Sequence, residues 1–179
     1  MIYFTADCHF CHRNIIESCE RPFKDADEMN NAMIERWNSA VTSRDEVYIL
    51  GDFIFRGTAS EANEILLKLK GRKYLIKGNH EQYLEDPEFH KEAFQWVKDY
   101  YILKYEKIDF VLFHYPMLSW HKSYHGSIHL YGHVHNSGKK YPEFETTLKL
   151  LGPRAINVGV DVNDFYPVSI QEIISRANS

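Results

Sequence analysis

Five apolar segments of this chain each end in a residue that can bind a metal ion, and this regularity constrains the fold more than any other feature. The segments, each with the polar residue that follows it, are IYFTA with Asp7, EVYIL with Asp52, KYLIK with Asn79, DFVLF with His114 and IHLY with His133. Short apolar runs of this length are typical of buried strands. Because functional groups in α/β sheets gather where strands end, we expect these side chains to lie close together.

Two more candidate ligands follow two of these residues at a spacing of two: His9 follows Asp7, and His135 follows His133. Side chains two apart on an extended segment point the same way, so each pair can approach one ion. Glycine directly precedes three of the ligands, at Gly51, Gly78 and Gly132. Glycine permits a sharp turn or a close backbone approach where the strand stops.

The candidate ligands are carboxylates, imidazoles and one amide: Asp7, His9, Asp52, Asn79, His114, His133 and His135. This set is too large for one tetrahedral ion, whereas two ions fit if a carboxylate bridges them roughly 3.5–4 Å apart. Donors of this kind without thiolate suit Mn, Fe, Zn or Ni better than Mg or Ca. We therefore expect two divalent transition-metal ions as cofactors, with manganese first.

The charge of such a site indicates its substrate. Two divalent cations and the carboxylates of Asp7 and Asp52 leave a net charge of about +2, which suits a phosphate ester. A metal-bound hydroxide could attack phosphorus while both ions hold the non-bridging oxygens. His80, beside Asn79, is the candidate general acid for the leaving alkoxide.

Cys8, Cys11 and His12 form the pattern C-x-x-C-H, which indicates a different metal chemistry. This pattern is the attachment signature of c-type haem, and its two cysteines could also be half of a zinc motif. Haem attachment of this kind belongs to exported proteins, and the apolar run that begins at Ile2 leads us to expect no secretory signal. A structural zinc site needs four ligands, and Cys19 is the one other thiol in the sequence. Both readings are therefore disfavoured.

Length and charge bound the remaining possibilities. We expect the 179 residues to form a single domain, 1–179. The formal net charge of −4, without a basic block, argues against strong non-specific nucleic-acid binding. No apolar run reaches transmembrane length, so we expect a cytoplasmic protein without a membrane partner. The expected partner is a small phosphate ester or nucleotide, and the oligomeric state is left open.

Periodicity and capping patterns predict helices from residue 14 onward, over 25–41, over 60–71, between 86 and 96, and from the capping box at Ser169. A hairpin is predicted over 100–116, and strands over 127–132 and 155–159 flank the polar, lysine-rich stretch 136–154. Strands that first alternate with helices and then follow one another predict an α/β fold with a mixed sheet, or a pair of sheets, flanked by helices.

The blocks DCH, GD, GNHE, H and GHVH occur in this order, and on them the sequence resembles the calcineurin-like metallophosphoesterase superfamily from Asp7 to about Asp161. The resemblance implies a four-layer αββα sandwich of two mixed β-sheets with a dinuclear metal site at the strand ends. It places one ion on Asp7, His9, Asp52 and His135, and the other on Asp52, Asn79, His114 and His133. Asp52 would bridge the ions, His80 would face the leaving group, and Cys8 and Cys11 would be bystanders packed near the site.

One departure concerns the substrate class. Protein phosphatases of the superfamily carry G-D-x-V-D-R-G, whereas this chain has GDFIFRG, with Phe55 in the place of the second acid and Arg56 in register. This favours the compact bacterial or archaeal type of phosphoesterase. His12 and Arg56 are our candidate substrate-binding residues, since both lie just beyond a ligand and could meet phosphate oxygens. Arg13 and Asn14 follow His12 and could also meet a phosphate at a helix start.

Two questions stay open from the sequence. The aromatic segment 114–126 could stack a base or an aryl group, or it could cap the core of the second sheet. The alternatives to an enzyme are a catalytically silent scaffold of the same fold that binds partner proteins, and a protein that stores or senses metal. Non-catalytic relatives typically lack several ligands or the acid histidine, and this chain lacks none.

Overall fold

Two β-sheets packed face to face form the centre of the molecule in the computed structural model, which describes residues 1–137 and 141–179. The strands are β1 Ile2–Thr5, β2 Glu46–Leu50, β3 Arg72–Ile76, β4 Val97–Lys98, β5 Tyr101–Tyr105, β6 Ile108–Leu112, β7 Ile128–Tyr131, β8 Ala155–Asn157 and β9 Val168–Ser169. The first sheet has the order β4-β3-β2-β1-β9, and the second has the order β5-β6-β7-β8. Each sheet is mixed, because β9 and β5 run antiparallel to parallel neighbours.

The α-helices given for residues 1–137 and 141–179 lie outside the sheets and are α1 Arg13–Ser18, α2 Ala26–Ala40, α3 Ala59–Lys68, α4 Pro142–Lys149 and α5 Ile170–Ala177. The capping box at Ser169 is confirmed, with Glu172 as its partner. The predicted start of α3 at Ser60 is wrong, because Thr58 is the N-cap and forms a capping box with Glu61. Among the described residues, no helix is both long and apolar enough to cross a membrane.

The helix-side core joins the first sheet to α1, α2 and α3. Met29, Met33 and Trp37 fall on one face of α2 and are at most 3% exposed, as their spacing predicts. They pack in one cluster with strand residues such as Val47 and Ile49. Cys8 and Cys19 are buried in this same cluster, and Cys11 packs against it.

The core between the two sheets contains the strand residues that alternate along the chain with those of the helix-side core. Phe4, Leu50 and Ile76 of the first sheet meet Phe110 and Leu130 of the second. The buried face of α5 completes this cluster. On the second sheet, α4 borders a surface cavity together with β7 and β8. The observed layers agree with the predicted pair of mixed sheets flanked by helices.

Two sequence predictions need correction. No α-helix runs from 86 to 96, where the described backbone has only the short 3-10 turn Lys91–Ala93. Its buried aromatic residues, Phe89 and Phe94, are five positions apart, and an α-helix would place them on different faces. The stretch 136–154, for which we predicted no element, contains α4, and its residues 138–140 lie outside the described part of the chain.

Candidate metal centre

The predicted ligands follow five strands of both sheets, and the strand ends of the two sheets meet at one edge of the sandwich. The backbone N–H of Asp7 donates to the carbonyl of Gly51 at 3.0 Å, and the N–H of His9 donates to that of Asp52 at 2.9 Å. Between the sheets, the N–H of His133 donates to the Asp7 carboxylate at 2.9 Å. Residues up to 126 positions apart are thereby brought to one place.

Most of these ligands have an unusual backbone conformation. The left-handed region is occupied by Asp7, His9, Asp52, His133 and His135, with φ between 48° and 70°. Each such non-glycine residue costs about 1 kcal/mol or more, and residues of this kind cluster at functional sites. This conformation turns the chain sharply after β1, β2 and β7 and points the ligand side chains into the same space.

Glycine is needed beside the ligands because their side chains occupy the space of a Cβ. A Cβ on Gly78 would overlap the Asp52 carboxylate, and one on Gly51, which also has φ +88°, would overlap the His114 ring. The close approach predicted for these glycines is therefore present.

The ligand atoms fall into two groups, and the expectation that His133 and His135 approach one ion is wrong, because they lie in different groups. In one, donor atoms of Asp7, His9 and His135 lie within 4.8 Å of one another, and in the other, those of Asp52, His114 and His133 do so. The amide oxygen of Asn79 joins the second group, at 3.2 Å from His114 Nε2 and 3.1 Å from His133 Nδ1.

Asp52 lies between the two groups. Its Oδ2 is 3.4 Å from His9 Nε2 and 3.6 Å from His114 Nε2, while its Oδ1 accepts the backbone N–H of Asn79 at 2.9 Å and that of His80 at 3.1 Å. His9 Nε2 is buried without a hydrogen-bond partner, which a native interior rarely tolerates. An orphaned imidazole nitrogen that faces a carboxylate oxygen fits a pair of cations bound on either side of Asp52.

Hydrogen bonds fix two of the imidazoles in an orientation suited to ligation. His114 Nδ1 lies 2.7 Å from the carbonyl of Leu50, and His135 Nδ1 lies 2.8 Å from Asp161 Oδ2. Since each acceptor requires a proton on Nδ1, the Nε2 atom is left free for an ion.

Glu81 also shapes the site, although the sequence did not reveal its role. Its carboxylate accepts the backbone N–H of Phe53 at 3.0 Å and that of Gly78 at 2.7 Å, which ties the loop after β2 to the loop after β3. Burial raises the pKa of Glu81 to about 7. The sequence signal for Glu81 was its place in the GNHE block.

The electrostatics distinguish the two aspartates. Burial raises the pKa of Asp7 to about 7. Burial acts on Asp52 in the same direction, but the nearby imidazoles of His9 and His114 outweigh it and lower its pKa to about 2. Asp52 is therefore anionic at neutral pH before any ion binds, whereas Asp7 is partly protonated.

The histidines differ in a similar way. Burial lowers the pKa of His9 to about 4 and also lowers those of His114 and His133. Burial has this effect on His135 as well, but the hydrogen bond to Asp161 raises its pKa to about 10. Without metal, His135 carries a proton on both nitrogens at neutral pH.

Of the predicted catalytic and substrate-binding side chains, His80 and His12 lie next to ligands, whereas Arg56 lies against Phe55. His80 Nε2 is 4.0 Å from Asp52 Oδ2, and its side chain is 30% exposed. The ring of Phe55 stacks on His12 at 3.7 Å between centroids and meets the His80 ring edge-on at 4.7 Å. The guanidinium of Arg56 also lies over the ring of Phe55, 5.2 Å from its centroid, and Arg56 is exposed. Their roles toward substrate remain predictions.

The aromatic segment 114–126 packs partly on the second sheet and lies partly at the candidate site, and stacking of a base or an aryl group stays a prediction. Trp120 packs against His129 of β7 and donates to Ser127 Oγ at 3.0 Å, so it covers the second sheet. Tyr115 instead lies at the site, where its ring is 4.6 Å from that of His133 and its hydroxyl is 3.5 Å from Asn79 Oδ1.

Comparisons with known proteins agree with this geometry. The profile of the family described as calcineurin-like phosphoesterase matches residues 1–101. The chain is 35% identical to the uncharacterized protein MJ1445 of Methanocaldococcus jannaschii, over 97% of this chain and 89% of that protein. It is 27% identical to the gene 66 protein of Mycobacterium phage D29, over 97% of this chain and 96% of that protein.

Among solved structures, a protein of unknown function from Aquifex aeolicus, AQ665, is similar over 98% of both chains, with 28% identity and a TM-score of 0.72. The profile match and the full-length relative together show that this chain belongs to the calcineurin-like phosphoesterase family. The family and the fold class predicted from the five blocks are confirmed. The family is metal-dependent, and this chain retains candidate ligand groups.

Metal binding should release protons, with a stoichiometry that depends on pH. An ion at His135 Nε2 must displace a proton at any pH below about 10, and an ion at Asp7 displaces another below about 7. Affinity should thus rise about tenfold per pH unit above pH 7 and more steeply below it. Calorimetric Mn²⁺ titrations in buffers of different ionisation enthalpy measure the released protons directly. An affinity independent of pH would contradict this assignment of the ligands.

Proposed function

We propose that this protein is a metal-dependent phosphoesterase that hydrolyses small phosphomonoesters or phosphodiesters at a dinuclear site. The observation that carries the proposal is the position of Asp52, whose Oδ2 lies within 3.6 Å of an imidazole nitrogen in each ligand group. In this proposal Asp7, His9 and His135 hold one ion, and Asn79, His114 and His133 hold the other, with Asp52 shared. Manganese is the expected metal.

When bound, two divalent ions would supply a water of lowered pKa and neutralise charge on a phosphoryl group. The chain's own residues then determine how the reaction proceeds. His80 stands beside the ligands without belonging to either group, and its partly exposed ring can give a proton to the leaving alkoxide. His12 and Arg56 are proposed to meet the substrate's phosphate or leaving group.

The stacked rings of Phe55 and His12 form an aromatic wall beside His80, and we call the space along this wall the entrance to the site. Phe55 brings no charge, so the approach to His80 lacks the second carboxylate that protein phosphatases of the superfamily carry at this position. A small ester whose leaving group is apolar or aromatic suits this entrance. We also propose that residues 1–179 act as one domain, because the ligands come from both sheets.

The test is hydrolysis by the purified protein. With added Mn²⁺ it should cleave 4-nitrophenyl phosphate or bis(4-nitrophenyl) phosphate, and removal of metal with a chelator should abolish the activity until Mn²⁺ is restored. A wider panel of esters and divalent ions then ranks the substrates. A protein that binds two ions yet cleaves no ester in the panel would refute the proposal and favour a scaffold or a metal-storage protein.

A further inference from the structure

A buried ion pair between Arg21 and Asp161 lies behind the ligands and joins two segments that are far apart in the sequence. Arg21 and Asp161 are 140 residues apart, and their side chains are 0% and 1% exposed. The contact is bidentate, with Arg21 Nε 2.8 Å from Oδ1 and Nη2 3.0 Å from Oδ2. Burying two charges costs several kcal/mol each unless additional hydrogen bonds satisfy them, so their other partners indicate what the pair does.

Two more hydrogen bonds of Arg21 are with the first ligand loop, while its other contacts are with Met29 Sδ, 3.4 Å from Nη1, and with the Phe165 ring, whose centroid is 5.7 Å from Cζ. Nη2 donates to the carbonyl of Asp7 at 2.8 Å, and Nη1 donates to the carbonyl of Cys8 at 2.9 Å. These carbonyls belong to the stretch in which Asp7 and His9 have left-handed backbone, with φ of 55° and 48°. The guanidinium therefore bonds to the strained backbone that carries two ligands of one group.

The remaining contact of Asp161 is with the third ligand of that group. Its Oδ2 accepts from His135 Nδ1 at 2.8 Å, which fixes the tautomer and the ring orientation. The backbone of His135 is held separately, since Asn157 Nδ2 donates to its carbonyl at 3.0 Å. The salt bridge thus contacts the backbone of Asp7 and the side chain of His135 directly, and it reaches His9 only through the carbonyl of Cys8, the residue before it.

A competing interpretation is a third metal site, because Cys19, His135 and Asp161 also bring donor atoms within 4.8 Å of one another. Both oxygens of Asp161 already accept from Arg21, a permanent cation, and one of them also accepts from His135. An ion at this place would have to bind beside the guanidinium. The contacts therefore favour orientation of His135 over a separate site.

We propose that Arg21 and Asp161 are positioning residues that preorganise the Asp7, His9 and His135 group for its ion. The inference rests on the proposed dinuclear function. It adds that binding of one of the two ions depends on the salt bridge between Arg21 and Asp161, although neither of these residues would bind an ion. The group of Asp52, Asn79, His114 and His133 has no contact with this pair among those described, so its ion should be largely indifferent to it.

The experiment compares metal binding in Asp161→Asn with that in Asp109→Asn. Asp109 is a matched control, because its carboxylate also lies near a cation and a histidine, at 2.8 Å from Lys122 Nζ and 3.5 Å from His121 Nε2, but away from the ligands. Calorimetric Mn²⁺ titration of Asp161→Asn should show about 10–100-fold weaker binding at one site and little change at the other. The spectroscopic signature of a coupled Mn pair should appear only at higher Mn²⁺, and the control should match the parent protein.

Arg21→Lys is the second variant, in case Asp161→Asn does not fold. It keeps the charge but cannot span Asp161 and two carbonyls, so the same site-selective loss is expected. Unchanged affinity, or equal weakening at both sites, in a folded variant would overturn the proposal. Failure of the phosphoesterase proposal looks different, because the parent protein would then bind two ions without hydrolysing any ester.

Discussion

Replacement of His80 by alanine should leave both ions bound and lower kcat by about 10²–10⁴-fold, the range typical of a lost general acid. Metal binding should persist because His80 belongs to neither ligand group, and its Nε2 is 4.0 Å from Asp52 Oδ2. The backbone N–H of His80, which Asp52 accepts at 3.1 Å, remains in the variant. The measurements are Mn²⁺ stoichiometry by elemental analysis and kcat at saturating metal.

The leaving group provides a sharper test of the same role. A good leaving group such as 4-nitrophenolate needs little protonation, so the loss in His80→Ala should be smaller for an aryl ester than for an alkyl ester. His90→Ala is the control, since that exposed histidine lies near Asn63 and away from the ligands. Equal losses for both classes of ester, or loss of metal from His80→Ala, would contradict the assigned role.

The strands and the positions of the candidate ligands at their ends were predictable because they depend on local patterns. Apolar runs marked the strands, and the polar residue after each run marked the strand end, as for Asp52 and His114. A strand end is a feature of a few neighbouring residues, so a single sequence can show it. The helix at Ser169 was predictable for the same reason, because its capping box is contained in four residues.

The parts that were missed depend on tertiary contacts. Arg21 gives no local sign that its guanidinium reaches the carbonyl of Asp7, since the contact exists only after the chain has folded. Asp161 follows the strand β8 and the segment NVGV, so the strand-end rule could have found it as a further candidate. Pro87 fits the first turn of a helix, but the segment that follows is irregular, because burial of Phe89 and Phe94 is decided by the core and not by local periodicity.

The left-handed backbone of the ligands was also beyond a sequence-based reading. We expected glycine to supply the sharp turns, and Gly51 does so, but Asp7 and His133 adopt this conformation themselves. Asp7 is held there through contacts with distant residues, among them Arg21. The energetic cost is therefore met by tertiary structure that no short motif contains.

Replacement of Asp52 by asparagine should have the largest effect on metal, with loss of ions from both positions and a fall in activity of roughly 10³-fold or more. The hydrogen bonds of Oδ1 decide how the new side chain sits. Because Oδ1 accepts from the N–H groups of Asn79 and His80, the amide oxygen takes that place and the NH₂ group takes the place of Oδ2. That position lies 3.4 Å from His9 Nε2 and 3.6 Å from His114 Nε2, where a donor group cannot bind a cation.

Asp45→Asn provides the control at the other end of β2. Asp45 is also buried, and its carboxylate accepts from the backbone N–H and the hydroxyl of Thr42, each at 2.7 Å, but it lies at the opposite end of the strand from the ligands. This variant should lose thermal stability without losing metal, whereas Asp52→Asn should lose metal at both positions. Elemental analysis after dialysis separates the two results. Two tightly bound ions in Asp52→Asn would show that the carboxylate is not shared, because one shared ligand is what makes both sites fail together.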